Sequence, residues 1–131
     1  MSEEIPEPNP DMLRAVAAIR LKYPNDVVNT FRQCDINALG EYSAHAWNRA
    51  LDHWGKGLFA KLHMDTVFNF TMNNAAVYHV DRAYYRGMAY QFDETGVLVE
   101  TQVLPASAPQ HFDHLHIQFY PVFEGTPPGC A

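Results

Sequence analysis

The sequence predicts an α+β domain, with a small antiparallel β-sheet and helices packed against it. Two observations carry this. Helical periodicity is concentrated in the first half, whereas short runs of strand-like residues separated by tight turns fill the second. A third feature stands out: His111-Phe112-Asp113-His114-Leu115-His116 leads into the alternating run Ile117-Gln118-Phe119-Tyr120. As a strand, that run would place His114 and His116 on one face.

Asn9-Pro10 is a helix start, with Asn as N-cap and Pro at the first helical position. Met12, Val16, Ile19 and Tyr23 then recur at helical spacing until Pro24 stops the pattern. Val27 to Arg32 is short, holds β-branched residues, and reads as a strand. Asp35 to Glu41 is polar, contains Gly40, and reads as a loop. Ser43 to Asn48 can be a loop and Arg49 to His53 a strand. Gly55 and Gly57 break what precedes them, and from Lys56 to about Met72 the apolar residues Leu58, Phe59, Leu62, Val67 and Phe70 give an imperfect helical stripe, a helix ending at Asn73-Asn74. Val77 to Val80, Ala83 to Phe92 (interrupted by Gly87) and Val97 to Val103 are strand runs, with Asp93-Glu94-Thr95-Gly96 as a turn. Pro105 to Pro109 is a loop before the histidine run.

The 131 residues suit one domain. We expect residues 1–10 to be an acidic, Pro-rich leader or linker, residues 11–124 the domain, and residues 125–131 an irregular tail. An apolar share of 47% and an aromatic share of 13% argue for an ordinary core. The net charge of −6, with no Lys/Arg cluster, argues against a nucleic-acid partner. No apolar run is long enough to span a bilayer, and the first ten residues lack the pattern of a signal peptide. The chain is expected to be a monomer. Two cysteines, Cys34 and Cys130, exclude a zinc site built on sulfur. They can close a long disulfide loop, adding about 4–5 kcal/mol in the chain-entropy picture, or remain as two buried thiols.

Among the other histidines, His53 and His63 have no partner at useful spacing and read as surface or boundary residues. His79, in an apolar run, reads as a core or edge histidine. His45 is different, because chain reversal can bring it to the same point as Asp52. His116 could complete a His/Asp/His set, leaving a fourth position of a tetrahedral zinc for water, as catalytic sites do. Such an ion lowers the pKa of its water to about 7. Asp113 could then take the water's proton and pass it to a leaving amine. His114 could stabilise the developing oxyanion.

These two stretches resemble the defining motifs of the zinc peptidases that include D-Ala-D-Ala carboxypeptidases and dipeptidases, murein endopeptidases, phage endolysin peptidases and the hedgehog signalling domain. The first motif, S-x-H-x-x-G-x-A-x-D, is matched by Ser43, His45, Ala50 and Asp52. The second, [DE]-x-x-H extended to H-x-H, is matched by Asp113, His114 and His116. The ending from His111 to His116 is similar to that of extensin-like members. Asn48 stands where many members have Gly, and Asn tolerates the left-handed backbone a tight turn needs.

The resemblance implies a single zinc site in a cleft, with His45, Asp52 and His116 as ligands and Asp113 as general base. His114 would be a catalytic neighbour. Ser43 would orient the first ligand or the bound peptide, and His111 would line the cleft. An arginine would polarise the scissile carbonyl or hold a substrate carboxylate; Arg32 is the first choice, with Arg82 and Arg86 as rivals. The implied activity is hydrolysis of a peptide bond in a bacterial peptidoglycan stem peptide or cross-link, as a carboxypeptidase or endopeptidase acting at the cell wall. The alternative is a zinc-binding, non-catalytic module of hedgehog-like type.

Overall fold

A computed structural model describes residues 5–37, 39–105 and 113–130. Two helices, α1 (Pro10–Lys22) and α2 (Ala60–Asn73), accompany six strands. The strands are β1 (Val27–Asn29), β2 (Ala50–Trp54), β3 (Val80–Tyr85), β4 (Met88–Phe92), β5 (Leu98–Val103) and β6 (Leu115–Phe119). They form one sheet in the order β1-β2-β6-β3-β4-β5, with every neighbouring pair antiparallel. This is the expected α+β architecture. Its organising step is the insertion of β6, the last strand in sequence, between β2 and β3.

The sheet has two chemically distinct faces because side chains alternate along each strand. Leu51 of β2, and Leu115, Ile117 and Phe119 of β6, join Met12, Val16, Ile19 and Val67 of the helices in the core. Asp52, His116, Gln118, Arg82, Tyr84 and Gln91 fall on the opposite face by their register. No described helix is long and apolar enough to cross a membrane.

Helix α1 begins as expected: the Asn9 side chain accepts from the Met12 amide at 2.9 Å and its own amide group donates to the Tyr120 carbonyl. Helix α2 differs from its expected stripe. Leu58 and Phe59 precede it, and Leu62 and Phe70 are exposed; the buried residues are Val67 and Thr71. Met64, Phe68 and Met72 complete the packed side. Gly57 takes a positive φ, and the helix starts after it, at Ala60. Gly55 permits the tight entry, since a Cβ there would lie 2.0 Å from the Ala60 carbonyl oxygen. Of Val77 to Val80, only Val80 joins a strand, because His79 adopts positive φ and turns the chain outward to meet Asp11. Arg86 and Gly87, both at positive φ, make the tight turn between β3 and β4.

His53 and His63 are not the unpartnered residues the spacing suggests. His53 is fully buried and its Nε2 lies 2.8 Å from Asp26 Oδ2; His63 Nδ1 lies 3.0 Å from Asp26 Oδ1. Tyr23 stacks on the His63 ring, and the Lys56 amide donates to Asp26. This cluster ties the β1 entrance to β2 and α2. Burial alone would raise the Asp26 pKa, but hydrogen bonds from His53, His63 and the Lys56 amide hold it below the ordinary value.

The cysteines form a disulfide, Cys34–Cys130, with Cα atoms 5.6 Å apart. It ties the C-terminal segment to the loop between β1 and β2. Near the other end of the chain, the Asn9 amide donates to the Asn48 carbonyl and Asn48 Nδ2 donates to the Pro6 carbonyl.

Two expected outcomes follow from these contacts. Replacing both cysteines by serine should lower unfolding free energy by about 4–5 kcal/mol, read by denaturant titration. Because the folded pKa of Asp26 lies below its unfolded value, the unfolded chain binds the extra proton. Its contribution is therefore whole above an unfolded pKa of about 3.9 and is lost as pH falls through the folded value. Asp26→Asn should cost about 3 kcal/mol at neutral pH and flatten the acid limb of the stability profile. An acid limb as steep as that of the parent protein would count against this role.

Candidate metal centre

The site is built from one strand pair and one loop. Asp52 on β2 and His116 on β6 are directly opposite in the antiparallel register. Cross-strand partners on one face have neighbouring side chains, and His116 Nδ1 lies 2.8 Å from Asp52 Oδ1. The loop between β1 and β2 delivers His45. That loop is shaped by backbone bonds from Arg32 to His45 and from Ser43 to Asp35. The Ser43 hydroxyl donates to Asp35 Oδ2 at 2.7 Å and accepts from the Ala46 amide. Asn48 takes a positive φ of 55° as the chain turns into β2, the conformation for which Asn substitutes for Gly.

His45, Asp52 and His116 are all buried, with one potential ligand atom from each lying within 4.8 Å of the others. His45 Nε2 is 3.1 Å from Asp52 Oδ2 and 3.3 Å from His116 Nδ1. The outer nitrogens are engaged elsewhere. His45 Nδ1 donates to the Thr30 carbonyl at 2.5 Å, and His116 Nε2 donates to Gln118 Oε1 at 3.0 Å. Each ring therefore turns its other nitrogen inward. Orientation of a ligating imidazole by a partner on its far nitrogen is a recurrent feature of metal sites. Gln118 is held in turn: its Nε2 donates to Asp81 Oδ2, which also accepts from Arg49 Nη1.

Burial alone would raise the Asp52 pKa, but the imidazoles of His114, His116 and His45 around it hold it far below the carboxylate range. Burial pushes His116 down, toward the neutral form that can ligate. His114 is shifted upward: burial opposes the shift, but the carboxylates of Asp52 and Asp113 outweigh it. The donor set, two imidazole nitrogens and one carboxylate, could hold a divalent ion. Imidazole and carboxylate donors suit several first-row divalent ions as well as zinc.

The other expected residues are placed as follows. His114 sits beside the triad, its Nε2 3.4 Å from Asp52 Oδ1, its Nδ1 2.8 Å from Asp113 Oδ1, and its ring stacked on Trp54. The Asp113 side chain is 72% exposed and meets the triad through His114. Arg32 contacts Asp52 Oδ2 directly. Arg82 lies farther along the same face, bonded to Tyr84 and Gln91. Arg86 pairs with Asp65 of α2, away from the triad. Ser43 shapes the His45 loop. His111 lies outside the described residues. A cavity of about 130 Å³ between α1 and α2, lined in part by Ile19, Val67, Phe70 and Phe119, is on the helical side of the sheet.

Gln118, Asp81, Arg49 and the Thr30 carbonyl were not expected. Gln118 had a readable signal, since His114, His116 and Gln118 share one face at period two. Asp81 and Arg49 are brought in by tertiary packing, and a backbone carbonyl has no sequence signature.

No family model, curated protein or solved structure matches this chain at a significant level.

His45→Ala and Asp52→Ala should each abolish stoichiometric zinc uptake by the purified protein. Gln118→Leu should retain the fold and weaken zinc binding about 10–100-fold in competition with a chelating dye. Undiminished affinity in Gln118→Leu would remove the assigned role of the glutamine.

Proposed function

We propose that this chain is a zinc-dependent peptidase acting on bacterial cell-wall peptides. The observation carrying the reading is the meeting of two separate motif-like stretches. His45 and Asp52 come from one, His116 from the other, and their potential ligand atoms converge in a buried cluster. His114 and Asp113 of the second stretch lie beside it. A bound divalent ion would supply Lewis acidity toward a carbonyl and lower the pKa of a coordinated water.

In the proposed hydrolysis, Asp113 accepts a proton from the attacking water at its carboxylate. The new C–O bond forms at the scissile carbonyl, and His114 donates a hydrogen bond to the oxyanion. Asp113 then returns the proton to the departing amine as the C–N bond breaks. Arg32, which contacts Asp52, would hold a substrate oxygen when the cluster carries a cation. The protein would act at the cell wall, where its disulfide also suits an oxidising compartment.

A non-catalytic zinc-binding module is the competing reading. Its support is the position of Asp113, largely solvent-facing and already bonded to His114. One experiment separates the two. The zinc-loaded protein is incubated with peptidoglycan digests, and the released muropeptides are identified by mass spectrometry. The peptidase reading expects a defined peptide product, with Asp113→Ala retaining zinc and fold while turnover falls at least about 100-fold. Undiminished hydrolysis by Asp113→Ala would overturn the mechanism. No product from any digest would leave the binding module as the function.

A further inference from the structure

The face that carries the metal cluster continues across β3, β4 and β5 as a polar floor. In register with His116 and Gln118 come Tyr84 and Arg82 of β3, then Ala89 and Gln91 of β4, then Gln102 and Glu100 of β5. A cavity of about 60 Å³ opens there, with Arg82, Ala89, Gln91, Glu100 and Gln102 in its lining. Ala89 is the small residue in the middle of this row.

The charged groups around the cavity are attracted but not paired. Arg82 spends one donor on Tyr84 Oη and another on Gln91 Oε1. A guanidinium has five N–H donors, so several remain. Asp81 and, more weakly, Glu100 act on Arg82 through space, and of the two only Glu100 lines the cavity; among the described residues Arg82 forms no ion pair within 4 Å. A cation and a carboxylate thus line the same small gap without closing it. The chemistry complementary to that arrangement is one group bearing both charges, its carboxylate on Arg82 and its ammonium on Glu100.

We infer that this cavity is a subsite for the zwitterionic α-amino-carboxylate of an amino acid. Its relation to the metal cluster rests on the peptidase reading. The β4 part of the cavity lies two strand spacings from β6, about 10 Å. An extended peptide covers that distance in about three residues. The group recognised would therefore be a branch or terminus about three residues from the bond cut, in a substrate carrying a free ammonium and carboxylate together.

The test is a titration of the full chain, metal-free and zinc-loaded, with both enantiomers of alanine, followed by backbone amide NMR shifts. The same titration is run with N-acetylalanine, which lacks the ammonium, and alaninamide, which lacks the carboxylate. Alanine of at least one hand should shift the amides of residues 82, 89–91 and 100–102 saturably, with or without zinc. Each blocked derivative should bind at least about tenfold more weakly, as should alanine to Arg82→Gln and to Glu100→Gln. Arg82 is half-buried and Glu100 exposed, and an unchanged spectrum elsewhere verifies the fold of both variants. Equal binding of the blocked derivatives, shifts confined to the His45–His116 cluster, or no saturable shift would each overturn the subsite. Binding in the absence of any peptide hydrolysis would uphold the subsite and remove the peptidase reading alone; hydrolysis without amino-acid binding would do the reverse.

Discussion

A buried carboxylate, Asp52, is the constraint around which this fold is arranged. Taking an anion out of water costs several kcal/mol unless opposing charge and hydrogen bonds offset it. Asp52 meets that cost with three imidazoles and a guanidinium, drawn from a loop, a distant strand and the segment after β1. Those donors have to be assembled by the tertiary fold. The insertion of β6 beside β2 supplies two of them at once, because His116 is opposite Asp52 in register and His114 is two residues earlier on the same face.

Strand β2 solves the same problem twice. Asp52 points to the open face, where imidazoles surround it. His53 points to the helical face, where it is itself the buried polar group and Asp26 answers it. Both clusters join a carboxylate to histidines, but their surroundings differ. Around Asp26, a stacked tyrosine and a backbone amide complete the shell, and the result is a structural tie. Around Asp52, two imidazoles have their outer nitrogens engaged and their inner ones converging. The direction in which a ring is turned, rather than the residue types, separates a candidate ligand set from a core contact.

That distinction bears on what could be read from the sequence. Helix α1 was legible because its cap, its periodicity and its terminating proline agree. The hairpin strands were legible from their turn residues. The cluster of His45, Asp52 and His116 was legible only as two local patterns; that they meet follows from strand order, which alternation does not encode. The α2 stripe misled because the fold turns a different side of the helix, carrying Met64, Val67, Phe68, Thr71 and Met72, toward the core. His53 was misread because its partner, Asp26, lies 27 positions away on another element. The cysteines left two outcomes open, and the fold closes them by bringing Cys34 and Cys130 to bonding distance.

The placement of the disulfide links the two levels. His45 is the one member of the triad that comes from a loop, and a loop is the least constrained way to hold a ligand. The segment carrying it is fixed at several points: Cys34 to Cys130, Ser43 to Asp35, Asn48 to the chain around Pro6 and Asn9, and His45 itself to the Thr30 carbonyl. Trp47, from the same loop, stacks on Phe123 of the C-terminal segment. Both ends of the described chain therefore fasten the loop that carries His45, whereas Asp52 and His116 depend on the sheet. A strand pair and a fastened loop together hold the three candidate donors in one buried cluster.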